Sequence, residues 1–496
     1  MVKPSRVVSA RMPGALAALP GLVYVALALV VVAALGCKIG TRFSFNVNEG
    51  WNAYWAKAAW SGADLYPSLD GLRLNNYLPL WFYLTGSLGD LIGDNIRAGR
   101  AIAAVALLLD GAVIALIARE IIGTGKARSE WLGWSLAGVA VIALFGIYHQ
   151  DYAAADDPQI FASLFMLIAL WWVIRTIDAP PTLAKWAGVV VLMIIAGLIK
   201  HNIVAAPLSI GLFLLLSGRM RALIMLAGLS TVGVAVACAG LYAAYGNGVF
   251  ALLLLPRPYH MSIAWSQSLE QLEQYGLLLA AIPFLALGSG AKSRLVLIYA
   301  VVALVLGIIL SGGDGVDVNV FFDLLFCIAI GLGVMGAALE QFITEDATSP
   351  GARWAAVAGW LAVTLVSPSI ALLSSREAIT DAFAAVTDGA YAADLQYIRA
   401  TPGPVVCRDP TLCYWAGKPL TLDLNNIRSM SFARPALEDA VVGRIERCEF
   451  PLIQLGDDWN DADNGPLTDR IRDAIEVHYR QVRTSKYGLY WRPTCG

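Results

Sequence analysis

Apolar segments long enough, or nearly long enough, to cross a bilayer recur along this chain at 16–36, 97–118, 131–148, 159–175, 186–200, 203–217, 222–245, 275–290, 295–311, 320–337 and 354–373. A hydrocarbon core of about 30 Å takes about 20 apolar residues in a helix, and every backbone polar group inside it must be satisfied within the protein. The repetition predicts a polytopic α-helical membrane protein with about 11 transmembrane helices. Composition agrees, since 58% of the 496 residues are hydrophobic and only 15% are charged, far from an average soluble domain. The formal net charge is −2, and without a long basic run there is no footprint for nucleic acid.

Basic residues of short connections concentrate on the cytoplasmic side. An N-terminus inside collects Lys3, Arg6, Arg11, Arg119, Lys126, Arg128, Arg175, Lys185, Arg219, Arg221, Lys292, Arg294 and Arg353 there. The first three also precede an apolar run, as in a secretory leader. That run has spanning length and no cleavage site followed by a soluble start, so it is read as a retained helix. The expected place is the cytoplasmic (inner) membrane, with loop 37–96, "YHQDYAAADDP", 246–274, "SGGDGVDVN" and the C-terminal tail on the outer, periplasmic side.

Two domains are expected: a membrane body, 1–373, including the outer loop 37–96, and a small soluble α/β domain, 374–496. In the loop, "WNAYWAKAAW" and "YLPLWFYLTGSLGDLIG" are aromatic and short for a span, which predicts helices lying at the membrane surface. The alternative, a twelfth span at 77–93, would invert every later loop and spoil the charge bias. In the tail, strands are expected within "GPVVCRDPTLCYWAG" and "FPLIQLG", and helices over 385–400, 434–447 and 466–480. Cys407, Cys413, Cys448 and Cys495 lie there and can pair in an oxidising compartment. Of three connectivities, Cys407 with Cys413 and Cys448 with Cys495 is favoured; a zinc site is the runner-up, its spacing not being of the CxxC kind.

The outer face gathers the polar residues that carry chemistry. "YHQDYAAADDPQIF" places Asp151, Asp156 and Asp157 between two apolar runs. Asp151 reads as an ordinary turn residue, and Asp157 before Pro158 also suits a helix start. Glu49 stands with Asn46 and Asn48 in an aromatic stretch otherwise without charge. "GLIKHNIVAAPL" sets Lys200, His201 and Asn202 in a tight break between spans, where a lysine either holds a phosphate or snorkels to the interface. "LLLLPRPYHMSIAW" carries Arg257 and His260, and "SGGDGVDVNVFFDLL" carries Asp314, Asp317, Asn319 and Asp323, of which Asn319 is the better ligand candidate. Acids at the water face, together with phosphate-binding cations beside lipid, fit glycosyl transfer from a lipid-linked phosphate. A carboxylate takes the acceptor proton, and a cation or carboxylate-bound metal stabilises the leaving phosphate.

At "NEGWNAYWAKAAWSGADLYP", "NNYLPLWFYLTGSLGD", "NIRAGRAIA", "ADDPQIF", "KHN" and "DVNVFFDLL", taken in that order, the body resembles the GT-C membrane glycosyltransferases that use polyprenyl-phosphate sugars, such as protein O-mannosyltransferases and lipid A aminoarabinose transferases. The resemblance implies a GT-C-like body, a polyprenyl-phosphate-linked sugar as donor, and a lipid, polysaccharide or protein as acceptor. The family's Asp-Glu pair in the first loop falls on Asn48-Glu49 here, so Glu49 takes the place of the base and Asn48 that of a substrate contact. The second-loop acid falls on Asp156 or Asp157, with Asp157 as second catalytic acid and both as tentative ligands of Mg²⁺ or Mn²⁺, which some relatives need and others do not. Lys200 is assigned the donor phosphate, with His201, Arg257, His260 and Asn319 as further substrate contacts.

Two other readings compete. A transporter or lipid flippase would carry ionisable residues deep in several spans and paired broken helices; Asp110, in "ALLLDGAVIA", is the clear deep example and has no role in the site. A mere anchor for a binding tail would not need so many spans.

Overall fold

Lipid leaves helices as the way for a single segment to satisfy its backbone, and the apolar runs take that form in the computed structural model, which describes residues 5–123, 128–288, 290–345, 348–374, 389–460, 465 and 467–495. The body begins with α1 (Ser5–Gly40), then two helices of the first loop, α2 (Asn48–Ser61) and α3 (Leu80–Ile92), then α4 (Asn95–Ile122). It continues through α5 (Arg128–Tyr148), α6 (Pro158–Arg175), α7 (Leu183–Ile199), α8 (Ala205–Leu216) and α9 (Met220–Tyr245). The short α10 (Gly248–Leu253) and α11 (Met261–Tyr275) follow, then α12 (Ala291–Leu310), α13 (Phe322–Thr344), α14 (Pro350–Leu361) and α15 (Ser367–Ser374).

Among the described residues, eight stretches are long and apolar enough to cross a membrane: in α1, α4, α5, α6, α9, α12, α13 with the turn before it, and α14 with α15. The other expected spans are shorter. α7 has 17 residues and α8 has 12, so α8, rising about 1.5 Å per residue, reaches only about 18 Å. Residues Gly276–Leu287 form a 3₁₀ helix interrupted by Pro283; at about 2.0 Å per residue it covers about 24 Å with few residues. With 13 residues, α3 is short of a span and packs on α2 and α4.

Burial orders the bundle. Over their spanning windows α13 is 83% buried and α9 only 11%, which makes α13 the central helix and leaves α9 to lipid. Small residues set the close crossings. A Cβ on Gly111 of α4 would stand 2.8 Å from the Gly138 carbonyl of α5, and one on Gly133 of α5 would stand 2.7 Å from the Gly333 carbonyl of α13. Without a hydrophobic drive between helices in lipid, such approaches supply packing that larger residues would block.

The tail carries a four-stranded sheet in the order β1-β2-β4-β3, from β1 (Val405–Cys407), β2 (Leu452–Leu455), β3 (Tyr479–Ser485) and β4 (Gly488–Pro493). β1 and β2 are parallel and the other pairings antiparallel. β1 and β2 lie in the two segments expected to hold strands, and helices occupy Ala390–Ala400, Ala436–Glu446 and Asp469–His478; the expected start at 385 lies outside the described residues. The β3–β4 hairpin had no counterpart in the sequence expectation. Disulfides join Cys407 to Cys413 and Cys448 to Cys495.

Candidate active site

The Asp94 carboxylate caps α4, accepting from the backbone N–H groups of Ile96 and Arg97, and the helix then carries Gly99 and Arg100 inward. Arg100 is 0% exposed, and all its guanidinium N–H groups are used. Nε donates to Glu49 Oε1 at 2.7 Å, Nη2 to Glu49 Oε2 and the Phe43 carbonyl, each at 2.6 Å, and Nη1 to the carbonyls of Lys38 at 2.8 Å and Thr41 at 2.7 Å. Glu49 accepts two further bonds, from the backbone N–H of Phe45 at 3.1 Å and of Asp156 at 3.3 Å. Four donors thus meet its roughly four lone-pair sites. Glu49 ties the start of α2 to α4 and to the loop between α5 and α6.

That loop is held from several sides. Lys38 donates to the carbonyls of Gln150, Asp151 and Ala153 at 2.9, 3.1 and 2.8 Å. Ala154 adopts φ 53°, a left-handed conformation that costs a residue with a Cβ about 1 kcal/mol or more. Asn52 donates to the Asp156 carbonyl at 2.6 Å and Trp81 Nε1 to Asp156 Oδ1 at 3.2 Å. A Cβ on Gly99 would lie 1.9 Å from that same oxygen, so α4 meets this carboxyl group only through glycine. Burial, followed by the Glu49 and Asp157 charges, pushes the Asp156 carboxyl well above its ordinary range.

Asp157 starts α6, with Oδ1 accepting from the Gln159 N–H at 2.8 Å and from Lys200 Nζ at 3.3 Å; Pro158 at the first helical position needs no N–H partner. Both side chains of the pair are 3% exposed. Lys200 lies 5.0 Å from the Tyr77 ring centroid. Burial works to lower the Lys200 pKa, but Asp157 and Tyr77 more than reverse it, and the ammonium is held above its ordinary value. His201 is exposed at its rim, yet the surrounding protein and then the Lys200 and Arg257 charges hold it down to about 4. Arg257 donates to the Asp314 carbonyl at 3.4 Å, and its loop pairs with the 312–314 turn through His260 N to Gly312 O and Asp314 N to Pro258 O.

Buried oxygens without partners mark the same neighbourhood: Asn52 Oδ1, Asp156 Oδ2, Asp157 Oδ2, Gln159 Oε1 and Asn202 Oδ1. Amide and carboxylate oxygens are acceptors, and buried acceptors call for donors. The site thus has a cationic side, Lys200 and Arg257, and an acceptor-rich side suited to hydroxyl groups.

The structure brings Glu49, Asp156, Asp157 and Lys200 into one buried network, with His201 and Arg257 beside it. Asn319 reaches it through its backbone carbonyl, which accepts from Gln159 at 3.5 Å. Asn48 is half-buried, its N–H bonded to Asn46, and His260 is exposed. Sequence reasoning missed Lys38, Tyr77, Trp81 and Arg100. The two acids expected to hold Mg²⁺ or Mn²⁺ do not fit the task. Asp157 is already paired with the Lys200 ammonium and Asp156 Oδ1 is taken by the Trp81 N–H, whereas such ions take several anionic oxygens. Among the described residues no group of three His, Cys, Asp or Glu side chains could hold a metal ion.

The tail packs over the first loop. Thr411 Oγ1 accepts from the Gly50 N–H at 3.1 Å and from Ser44 at 3.2 Å, and a Cβ on Gly50 would lie 2.1 Å from Thr411 N. Trp51 donates to Asp423 at 3.0 Å, Trp415 to Asp94 at 3.0 Å and Tyr54 to the Lys418 carbonyl at 2.6 Å. A cleft of about 710 Å³ opens between α2 and the tail, lined by Arg42, Tyr54, Lys57, Arg73, Tyr414 and Lys418 among others.

No protein-family model and no curated protein matches this chain. In structure it is similar to ArnT from Cupriavidus metallidurans in the apo state, with TM-score 0.58 and 13% identity over 95% of this chain and 97% of that one. The same enzyme bound to undecaprenyl phosphate aligns with TM-score 0.57 and 14% identity over 96% and 98%. The archaeal oligosaccharyltransferase AglB from Archaeoglobus fulgidus, in complex with an inhibitory peptide and a dolichol-phosphate, aligns with TM-score 0.53 and 11% identity over 94% and 74%. Identity this low speaks to architecture alone, and the architecture covers body and tail together. The chain has the GT-C fold.

Proposed function

We propose that this protein transfers a sugar from a polyprenyl-phosphate donor to an acceptor at the extracytoplasmic face, with inversion at the anomeric carbon. The observation that carries the reading is the buried Lys200–Asp157 pair beside Arg257 and Tyr77, set against unpartnered oxygens. The donor phosphate takes the Lys200 ammonium, with Arg257 closing from the paired loop. Asp157, released from Lys200, offers its free Oδ2 to the acceptor hydroxyl and takes its proton. The acceptor oxygen then forms the glycosidic bond on the face opposite the phosphate, and the carbon–oxygen bond to phosphate breaks with its electron pair going to the phosphate, where Lys200 stabilises it. Asp156, whose Oδ2 is buried without a partner, holds a sugar hydroxyl. Glu49 is assigned a positioning role instead of that of the base, because its lone pairs are filled by Arg100, Phe45 and Asp156. The polyprenyl phosphates bound by the structural neighbours support the donor class, and the cleft at the tail is the place for the acceptor.

Asp110 favours a second reading, transport, since both its oxygens are buried without a partner. Reconstitution in liposomes with a panel of polyprenyl-phosphate sugars separates the two. Transfer with an inverted product, lost in Asp157→Asn and retained with chelator present, supports the transferase. Lipid flux without turnover of any donor overturns it.

A further inference from the structure

At the opposite ends of the same helices lies a second cationic pocket that sugar transfer does not use. The cavity, about 270 Å³, sits where the end of α6, the start of α7, the end of α8 and the start of α9 meet, and Lys185, Trp186, Arg219 and Arg221 line it. α6 has 18 residues, which puts this pocket about 27 Å from Asp157 along the helix. Its polar side chains are all donors. Lys185 reaches the Thr176 carbonyl at 2.7 Å, and Arg219 bonds the Ile177 carbonyl and, at 3.5 Å, Asp178, which is itself 75% exposed. Trp186 is 1% exposed, yet its Nε1–H has no partner, and a buried donor left without an acceptor is costly. Lys185 Nζ lies 5.1 Å from the Trp186 ring centroid. Three cations and an unsatisfied indole around one cavity call for an anionic acceptor. The position at helix ends, next to the lipid-facing α9, selects a lipid as its source.

We propose that this pocket binds the phosphate of an anionic phospholipid in the leaflet opposite the active site. Such basic pockets between helices suit lipid head groups. The test measures binding of phosphatidylglycerol against phosphatidylcholine to the purified full chain in nanodiscs, by native mass spectrometry, with inorganic phosphate as a competing probe. Phosphatidylglycerol should bind in preference. Arg221→Gln and Trp186→Phe, which keeps an aromatic ring but removes the N–H, should each weaken it by about tenfold at unchanged melting temperature in phosphatidylcholine. Equal binding of the two lipids, or variants that bind as wild type, overturns the proposal. So does saturation by millimolar inorganic phosphate with no phosphatidylglycerol retained, which would assign the pocket to the free anion. If Trp186→Phe lowers the melting temperature, Arg221→Gln alone decides.

Discussion

Glu49 and Arg100 are both fully buried and bonded twice to each other. Removing one partner of such a pair leaves the other charge uncompensated, at a cost of about 3–5 kcal/mol. Glu49→Gln and Arg100→Met should therefore each lower thermal stability as well as activity, and a double-mutant cycle should return a coupling of about 3 kcal/mol. Additive stability losses would contradict the positioning role. His201, held down to about 4, is neutral from pH 5 to 8, so His201→Gln should leave the shape of the pH–rate profile unchanged; loss of a limb near pH 6 to 7 would show that the imidazole titrates during turnover. Asp156, Asp157 and Lys200, which the structure brings into one buried network, stood out as candidates in the sequence because charge is rare in an apolar chain. Arg100 did not, since a basic residue near a helix end reads as a topology signal, and Tyr77 and Trp81 were hidden among abundant aromatics.

Elements are joined here by close backbone approach. Gly99→Ala would drive a methyl group into Asp156 Oδ1. Shifting the second loop by about 1 Å should lower the transfer rate by about 100-fold, for a stability loss of only about 1–3 kcal/mol. Transfer assays and melting curves on the same preparation check this, and wild-type turnover would show that the loop is not held by this contact. Long apolar helices were readable from hydropathy, whereas Gly276–Leu287 was not recognisable as 3₁₀, because that choice depends on packing against α12 and α13. The β3–β4 hairpin escaped because Arg480, Gln481 and Arg483 break the apolar alternation of an edge strand.

Across the whole molecule the tail and body form one surface, and the cleft between α2 and the tail carries Arg42, Lys57 and Arg73. Charge reversal there, as in Lys57→Glu with Arg73→Glu, should raise KM for an anionic acceptor several-fold and leave KM for the donor unchanged. A change in donor KM alone would move the acceptor elsewhere. The tail was legible as an α/β unit from its charge and cysteines, but its seating on Gly50 through Thr411 was not, since nothing local in either segment records the other. The proposed transfer depends above all on the donor phosphate meeting Lys200. Affinity for sugar-free polyprenyl phosphate, measured in detergent on wild type and Lys200→Met, decides it. Loss of one partner in a desolvated charge pair predicts binding at least about thirtyfold weaker, while equal affinity of the two proteins would contradict the site.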